Sequence, residues 1–139
     1  MRYKLILGLL PLLFLGCESR VYKKIYAIPS TPVTCLKLQA ANPIIAYALQ
    51  KRIDFQNDCP FILKTSSHFI STCTSVKAKA LGSDFDGFLR LELFENNKLL
   101  YRDQVDFKGC VTQKIVDTLL QSLQKDMKLS IKIRYNRKK

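Results

Sequence analysis

The sequence predicts an α+β fold: an antiparallel meander sheet of about four or five strands packed against two helices. Three observations carry that reading. Between residues 70 and 107, successive segments alternate apolar and polar side chains, the period of half-buried strands. Near residues 43–54 and 112–127, apolar residues recur at three- and four-residue spacing, the period of amphipathic helices. The strand segments follow one another directly, which favours one sheet with helices gathered on one face.

In chain order, residues 25–28 suggest a first strand, closed by Pro29-Ser30-Thr31-Pro32. Residues 33–38 suggest a second short strand. Asn42 can cap a helix, Pro43 suits its first position, and Ile45, Ala48, Leu49, Arg52 and Ile53 mark one face to about Asp54. Asn57-Asp58 is a turn, and residues 60–65 read as a short buried strand. In residues 70–80, Ile70, Thr72, Thr74, Val76, Ala78 and Ala80 share one face. The best-defined strands are 88–94 and 99–107, a hairpin joined by Glu95-Asn96-Asn97-Lys98. Its inward residues are expected to be Leu89, Leu91 and Leu93 against Leu99, Tyr101, Val105 and Phe107, with Asp103 interrupting the second set. Thr112 or Cys110 can start the last helix, whose stripe is Ile115, Val116, Leu119, Leu120, Leu123 and Met127. Residues 130–135 alternate again and suggest a closing edge strand, with Lys132 and Arg134 pointing away from Ile131, Ile133 and Tyr135.

No constellation calls for catalysis, and no cofactor or metal is expected. His68 is the single histidine, in the polar stretch Thr65-Ser66-Ser67-His68, and reads as a surface loop residue. No Gly-x-Ser-x-Gly elbow accompanies it. Asp84-Phe85-Asp86-Gly87 echoes the start of a calcium loop, but Phe88 stands where a third ligand is needed, so a tight turn is expected. Glu92 and Glu95 fall on opposite faces of a strand, a poor geometry for paired acid–base work.

The N-terminus has a different character. Arg2 and Lys4 precede an apolar run, residues 5–15, that ends at Gly16-Cys17. A charged start, a short apolar core and a small residue make a secretory signal peptide. The run is about half of what a membrane-spanning helix needs. Residues 1–16 are therefore expected to be removed, leaving a tether (17–24), a single domain (25–135) and a basic tail (136–139).

Export gives meaning to the cysteines and the charge. Cys35, Cys59, Cys73 and Cys110 are candidates for two disulfides, and three connectivities remain open. There is no CxxC pair of the kind zinc sites use. The chain carries 23 basic and 11 acidic residues, a formal net charge of +12. Lys128, Lys132, Arg134, Arg137, Lys138 and Lys139 crowd one end without an acid among them, and Arg20, Lys23 and Lys24 crowd the other. In an exported chain such a surface suits anionic headgroups, lipopolysaccharide phosphates or an acidic protein rather than nucleic acid.

Gly16-Cys17, with Phe14-Leu15 before it, resembles the lipobox of bacterial lipoproteins. The resemblance implies that the Cys17 sulfur is acylated and that Cys17 becomes the first residue of the mature chain. Glu18, rather than Asp, implies sorting to the outer membrane of a Gram-negative envelope. The segments Tyr26-Ala27-Ile28-Pro29, Ala48-Leu49-Gln50-Lys51-Arg52-Ile53, and the hairpin Leu89-Arg90-Leu91-Glu92-Leu93 with Lys98-Leu99-Leu100-Tyr101-Arg102 extend the likeness. Together with the last helix they resemble the auxiliary lipoproteins of ABC-type lipid transporters, which partner MCE-type lipid-shuttling proteins. That resemblance implies a non-catalytic accessory subunit anchored in the periplasm. The lipopolysaccharide-assembly lipoprotein, which plugs an outer-membrane β-barrel, has a similar element order. It implies the alternative of a β-barrel partner and bound lipopolysaccharide. A surface-exposed interaction lipoprotein is a third reading.

Acylation makes a direct prediction. The protein should partition into detergent and stay membrane-bound through a high-salt wash, because salt screens charges but leaves acyl chains in place. Cys17→Ala should release it, as read by membrane fractionation; unchanged retention of that variant would defeat the assignment.

Overall fold

The computed structural model describes residues 21–69 and 85–135. They form an α+β fold with, in chain order, β1 (Val21–Ile25), β2 (Lys37–Gln39), α1 (Pro43–Gln50), β3 (Phe61–Phe69), β4 (Gly87–Glu95), β5 (Lys98–Phe107) and α2 (Gln113–Met127). The strands make one sheet in the order β1-β5-β4-β3-β2. Every neighbouring pair is antiparallel except β2 and β3, which run parallel.

The β4–β5 hairpin forms as its alternation requires. Asn96 and Asn97 take positive φ angles of 47° and 66°, the geometry of a two-residue hairpin turn that asparagine tolerates best after glycine. Leu89, Leu91 and Leu93 are fully buried, as expected. On β5, however, Leu100 is buried and Leu99 only half so. The register explains the change: Phe94 pairs with Leu99 but Leu93 pairs with Tyr101. Leu100 is the extra residue of a bulge, which rotates the strand out of its simple alternation. Its carbonyl accepts hydrogen bonds from Tyr26 N–H at 2.8 Å and Ala27 N–H at 3.2 Å.

α1 is capped by Asn42, whose Oδ1 accepts from Ile44 N–H at 2.9 Å and Ile45 N–H at 3.4 Å. It ends at Gln50 rather than near Asp54, although Arg52 and Ile53 keep their inward positions in the turn that follows. α2 starts at Thr112, whose Oγ1 accepts from Ile115 N–H, and ends where Lys128 takes a left-handed conformation. Its stripe of Val116, Leu119, Leu120, Leu123 and Met127 is buried against β5, β4 and β1, while Ile115 lies half-buried at its border. Each such leucine contributes roughly 1.5–3 kcal/mol relative to an exposed one.

Four expectations change. The first strand is Val21–Ile25, so residues 21–24 belong to the domain and not to a tether. The second strand is Lys37–Gln39, parallel to β3; β2, α1 and β3 form a crossover unit inside an otherwise antiparallel sheet. The strand after it runs Phe61–Phe69, longer than 60–65, and it pairs residue by residue with β4. Residues 130–135 are irregular and join none of the described strands. Ser130 N–H bonds to the Val33 carbonyl and Arg134 N–H to the Arg52 carbonyl, both at 2.9 Å, so this segment packs over loops instead of a sheet edge. The segment 70–80, read as a strand, lies outside the described residues, as do Cys17, Cys73 and the tail residues Arg137, Lys138 and Lys139.

Cys35 and Cys59 are disulfide-bonded with Cα atoms 5.9 Å apart. The bond joins the approaches to β2 and β3 and so staples the start of the parallel pair. Closing a 24-residue separation is worth about 3.5 kcal/mol by loop entropy. Cys110 is disulfide-bonded as well.

Arg52 joins the helical layer. Its guanidinium donates from Nε to Asp117 Oδ1 at 2.7 Å and from Nη2 to Asp117 Oδ2 at 3.0 Å. Gln113 Nε2 completes the link, donating to Asp117 Oδ1 and to the Ala48 carbonyl, each at 3.1 Å. The Asp117 hydrogen bond holds the guanidinium charged despite its burial. Arg52→Ala would leave Asp117 facing a half-buried void, so it should cost about 3 kcal/mol in urea unfolding. A loss below ~1 kcal/mol would mean that the pair is only a surface contact.

Candidate functional site

The two faces of the sheet carry different chemistry. Cross-strand pairing places Val21, Val105 and Leu89 in one row of the inner face, and Lys23, Asp103, Leu91 and Thr65 in the next. α2 covers this face. On the outer face the rows read Tyr22, Gln104, Arg90 and Ser66, then Lys24, Arg102, Glu92, Lys64 and Gln39. Phe88 and His68 form part of a further row. Neither described helix packs on the outer face.

That outer face is ordered by its own polar ladder. Arg102 donates Nε to Glu92 Oε1 at 2.7 Å, with Nη2 at 2.6 Å from the same oxygen, and reaches the Tyr26 hydroxyl at 3.4 Å. Arg90 donates from Nε and Nη2 to Gln104 Oε1 at 2.9 and 2.7 Å, and Gln104 Nε2 donates to Asp106 Oδ1 at 2.9 Å. Cations also lie over aromatic rings: Lys24 and Arg102 over Tyr26 at 4.9 and 5.7 Å, Arg90 over Phe88 at 5.6 Å. The carboxylates of Glu92 and Asp106 are answered within these rows, so the cations Lys24, Lys37, Lys64, Arg90 and Arg102 leave the face positive. Between β1 and β5 it opens into a shallow groove of about 170 Å³ lined by Tyr22, Lys23, Lys24, Arg102 and Gln104.

The inner face holds a polar cluster against α2. The Tyr101 hydroxyl donates to Asp126 Oδ2 at 3.0 Å and lies 3.1 Å from Ser122 Oγ. Lys23 Nζ reaches Asp126 Oδ2 at 3.0 Å. Burial works against the Asp126 charge, yet Lys23 and Tyr101 together hold its pKa below the usual carboxylate value. Burial pushes the Tyr101 hydroxyl well above its ordinary value. Asp103 is fully buried beside them; the Tyr101 side chain and the Leu91 backbone face its carboxyl, but neither makes a hydrogen bond of good geometry to it. Burial, reinforced by the negative Asp126, raises its pKa from 3.8 to about 8.

The sequence-predicted site residues scatter. Lys128 sits at the C-cap of α2, and Lys132 is exposed. Arg134 is tied to Asp54 at 2.9 Å and to the Gln50 carbonyl at 3.3 Å, so its charge is partly answered within the fold. Lys24 belongs to the outer face, whereas Lys23 turns inward to Asp126. Arg90, Arg102, Tyr22 and Tyr26 lie apart in the sequence, yet the fold gathers them on one surface. The signal was present in the polar positions of the hairpin, which alternate with its leucines. His68 stands exposed on β3 opposite Phe88, not in a loop. Asp86 sits at a bend just before β4, its carboxylate accepting from Gly109 N–H, while the start of the expected turn, Asp84, lies outside the described residues. Among the described residues no group of three acids, histidines or cysteines could hold a metal. No helix there is long and apolar enough to cross a membrane. No family model, curated protein or solved structure matches this chain.

Asp103 gives a pH prediction. Its carboxyl holds a proton more tightly folded than unfolded, so its favourable contribution is complete below pH ~4 and is lost as pH rises through about 8. Asp103→Asn removes that titration. The stability difference in favour of the variant should grow across this window by up to ~1.4 kcal/mol per pH unit. Parallel curves in urea melts at several pH values would show that Asp103 stays ionised in the fold.

Proposed function

We propose that this chain is an acyl-anchored, non-catalytic subunit of a bacterial cell envelope, serving as an accessory of a lipid-transport system. The observation that carries the reading is the sheet face just described, positive, aromatic, already ordered and covered by neither described helix. Such a surface suits recognition, because its side chains need little further ordering to bind. Its cations, set in rows with few acids, suit a partner that presents negative charge. The disulfides fit an exported domain, and the lipobox at Cys17 fits a membrane anchor.

A second reading keeps the same anchor and changes the partner. A lipopolysaccharide-assembly subunit would use the same cationic rows against phosphate groups and would dock on an outer-membrane β-barrel. The spacing of Arg90 and Lys64 across neighbouring strands favours multivalent anion contact and keeps this reading alongside the first.

One experiment separates them. A photo-crosslinking amino acid placed at Phe88, in the native membrane, should capture an envelope protein. Purification of the adduct should yield a lipid-shuttling component or permease under the first reading, and a large β-barrel under the second. Arg90→Glu should reduce either adduct several-fold, since a rim charge facing an opposite charge controls encounter. Capture that ignores Arg90→Glu would remove the outer face from the reading.

A further inference from the structure

The exposed apolar side chains are not spread evenly. Tyr22, Ile25, Tyr26 and Ile28 are 55%, 54%, 43% and 85% exposed, and they are four of the seven large hydrophobics that stand out among the described residues. All four lie on β1 or just after it. Among the described strands β1 stands at the edge of the sheet, paired with β5. Edge strands are normally guarded by outward lysines. Here Lys23 turns to Asp126, while Lys24 stays exposed at the edge, over the Tyr26 ring. The edge is apolar and aromatic around that lysine, with the groove of Tyr22, Lys24, Arg102 and Gln104 beside it.

Its place in the chain decides what meets it. Val21 is four residues after Cys17. Four residues, even fully extended, span at most ~14 Å. A Cys17 whose acyl chains lie in a bilayer leaves Val21, where β1 begins, no further than that from the headgroups. Tyrosines and aliphatic side chains at a strand edge match the amphipathic headgroup zone, where aromatic rings collect. Lysine and arginine beside them match its phosphates, within reach of a Debye length of ~8 Å.

From this we infer that the β1 edge is a membrane-apposition surface: Tyr22, Ile25, Tyr26 and Ile28 enter the headgroup zone of the anchoring leaflet, and the groove flanked by Lys24 and Arg102 receives a lipid phosphate. The inference rests on the anchor in the reading above and assigns that anchor's domain an orientation. The open face carrying Phe88, Arg90 and His68 is then left for the partner.

The chain contains no tryptophan, so a single introduced one reports alone. Ile28→Trp is the reporter, and Tyr47→Trp, on the exposed side of α1, is the control. Both are made in the acylated full-length protein, reconstituted in vesicles of phosphatidylethanolamine and phosphatidylglycerol, with acylation checked by intact mass. Ile28→Trp should show a blue-shifted emission and quenching by lipids brominated near the headgroup. Tyr47→Trp should show neither. A second arm uses the mature chain with Cys17→Ser. It should bind phosphatidylglycerol-containing vesicles, bind phosphatidylcholine vesicles weakly, and lose roughly 20-fold in affinity on Lys24→Glu, the effect of reversing one charge near an anionic surface. An acylated protein whose Ile28→Trp stays unshifted and unquenched overturns the inference and leaves the anchor standing. Absence of acyl chains, with vesicle binding of the Cys17→Ser chain still lost on Lys24→Glu, sinks the anchor and supports the surface. Vesicle binding unaffected by Lys24→Glu overturns it, as does an Ile28→Trp shift that appears only with a protein partner, the mark of a strand added to the β1 edge.

Discussion

Arg52 is the point on which the described fold converges. It follows α1, and its guanidinium reaches across to Asp117 in the first half of α2. Its carbonyl accepts from Arg134 N–H, which pins the C-terminal segment. Three stretches far apart in sequence thus meet at one side chain and its backbone. α1 is only eight residues long, too short to hold itself together in water. It depends on packing, and Ile45 and Leu49 supply the apolar part of that packing. The bidentate pair supplies direction: a planar guanidinium on a carboxylate permits one orientation, whereas leucines can slide. A buried pair of this kind adds little net stability over a well-fitted apolar pair, and its value lies in fixing where α1 sits on α2.

The same contrast separates the two faces of the sheet. Inside, polar groups are few and costly. Lys23 and Asp126 answer each other, and Tyr101 joins them, whereas burial pushes the Asp103 carboxyl toward its neutral form. Nothing in the packing explains why a carboxyl rather than an aliphatic side chain occupies that position. Outside, polar groups are many and mutually satisfied, and their energies are small because water competes. Rigidity there comes from the strands beneath, which space Arg90 and Arg102 on alternate residues of adjacent strands. Among the described residues one face buries the core against α2, and the other is covered by neither helix.

Legibility in the sequence followed the strength of each period. The hairpin and α2 could be read almost to the residue, because Leu89, Leu91 and Leu93 alternate cleanly and five residues of α2 recur on one stripe. β1 could not, since its inward position Lys23 is a charge, legible as core-facing only once Asp126 stands opposite. The bulge at Leu100 was equally hidden: Leu99 and Leu100 are chemically identical, and only the partner strand chooses between them. Residues 130–135 alternate like a strand, yet alternation reports exposure and not pairing, and these residues pack over Val33 and Arg52. The parallel run of β2 is set by the disulfide-stapled crossover, which no local pattern records. Of the candidate site, basicity was visible but its location was not. Charges cluster in sequence at the C-terminal end, while folding gathers Lys24, Lys64, Arg90 and Arg102 from four strands onto one face.

That gathering matters more for a tethered domain than for a free one. Each exposed cation near an anionic surface contributes about 1 kcal/mol, too little to hold a protein from dilute solution. An anchor changes the arithmetic, because it holds every later contact at a high effective concentration. Weak contacts then no longer decide whether the domain is at the membrane. They decide how it faces. If Cys17 is the anchor, the four residues from it to Val21 would restrict tilt far more than a long linker, since β1 is part of the sheet itself. Under the proposed anchor, the short distance from Cys17 to Val21 and the apolar edge of β1 would act together: one would limit how far the domain leans away, and the other would favour the lean that places β1 against the bilayer.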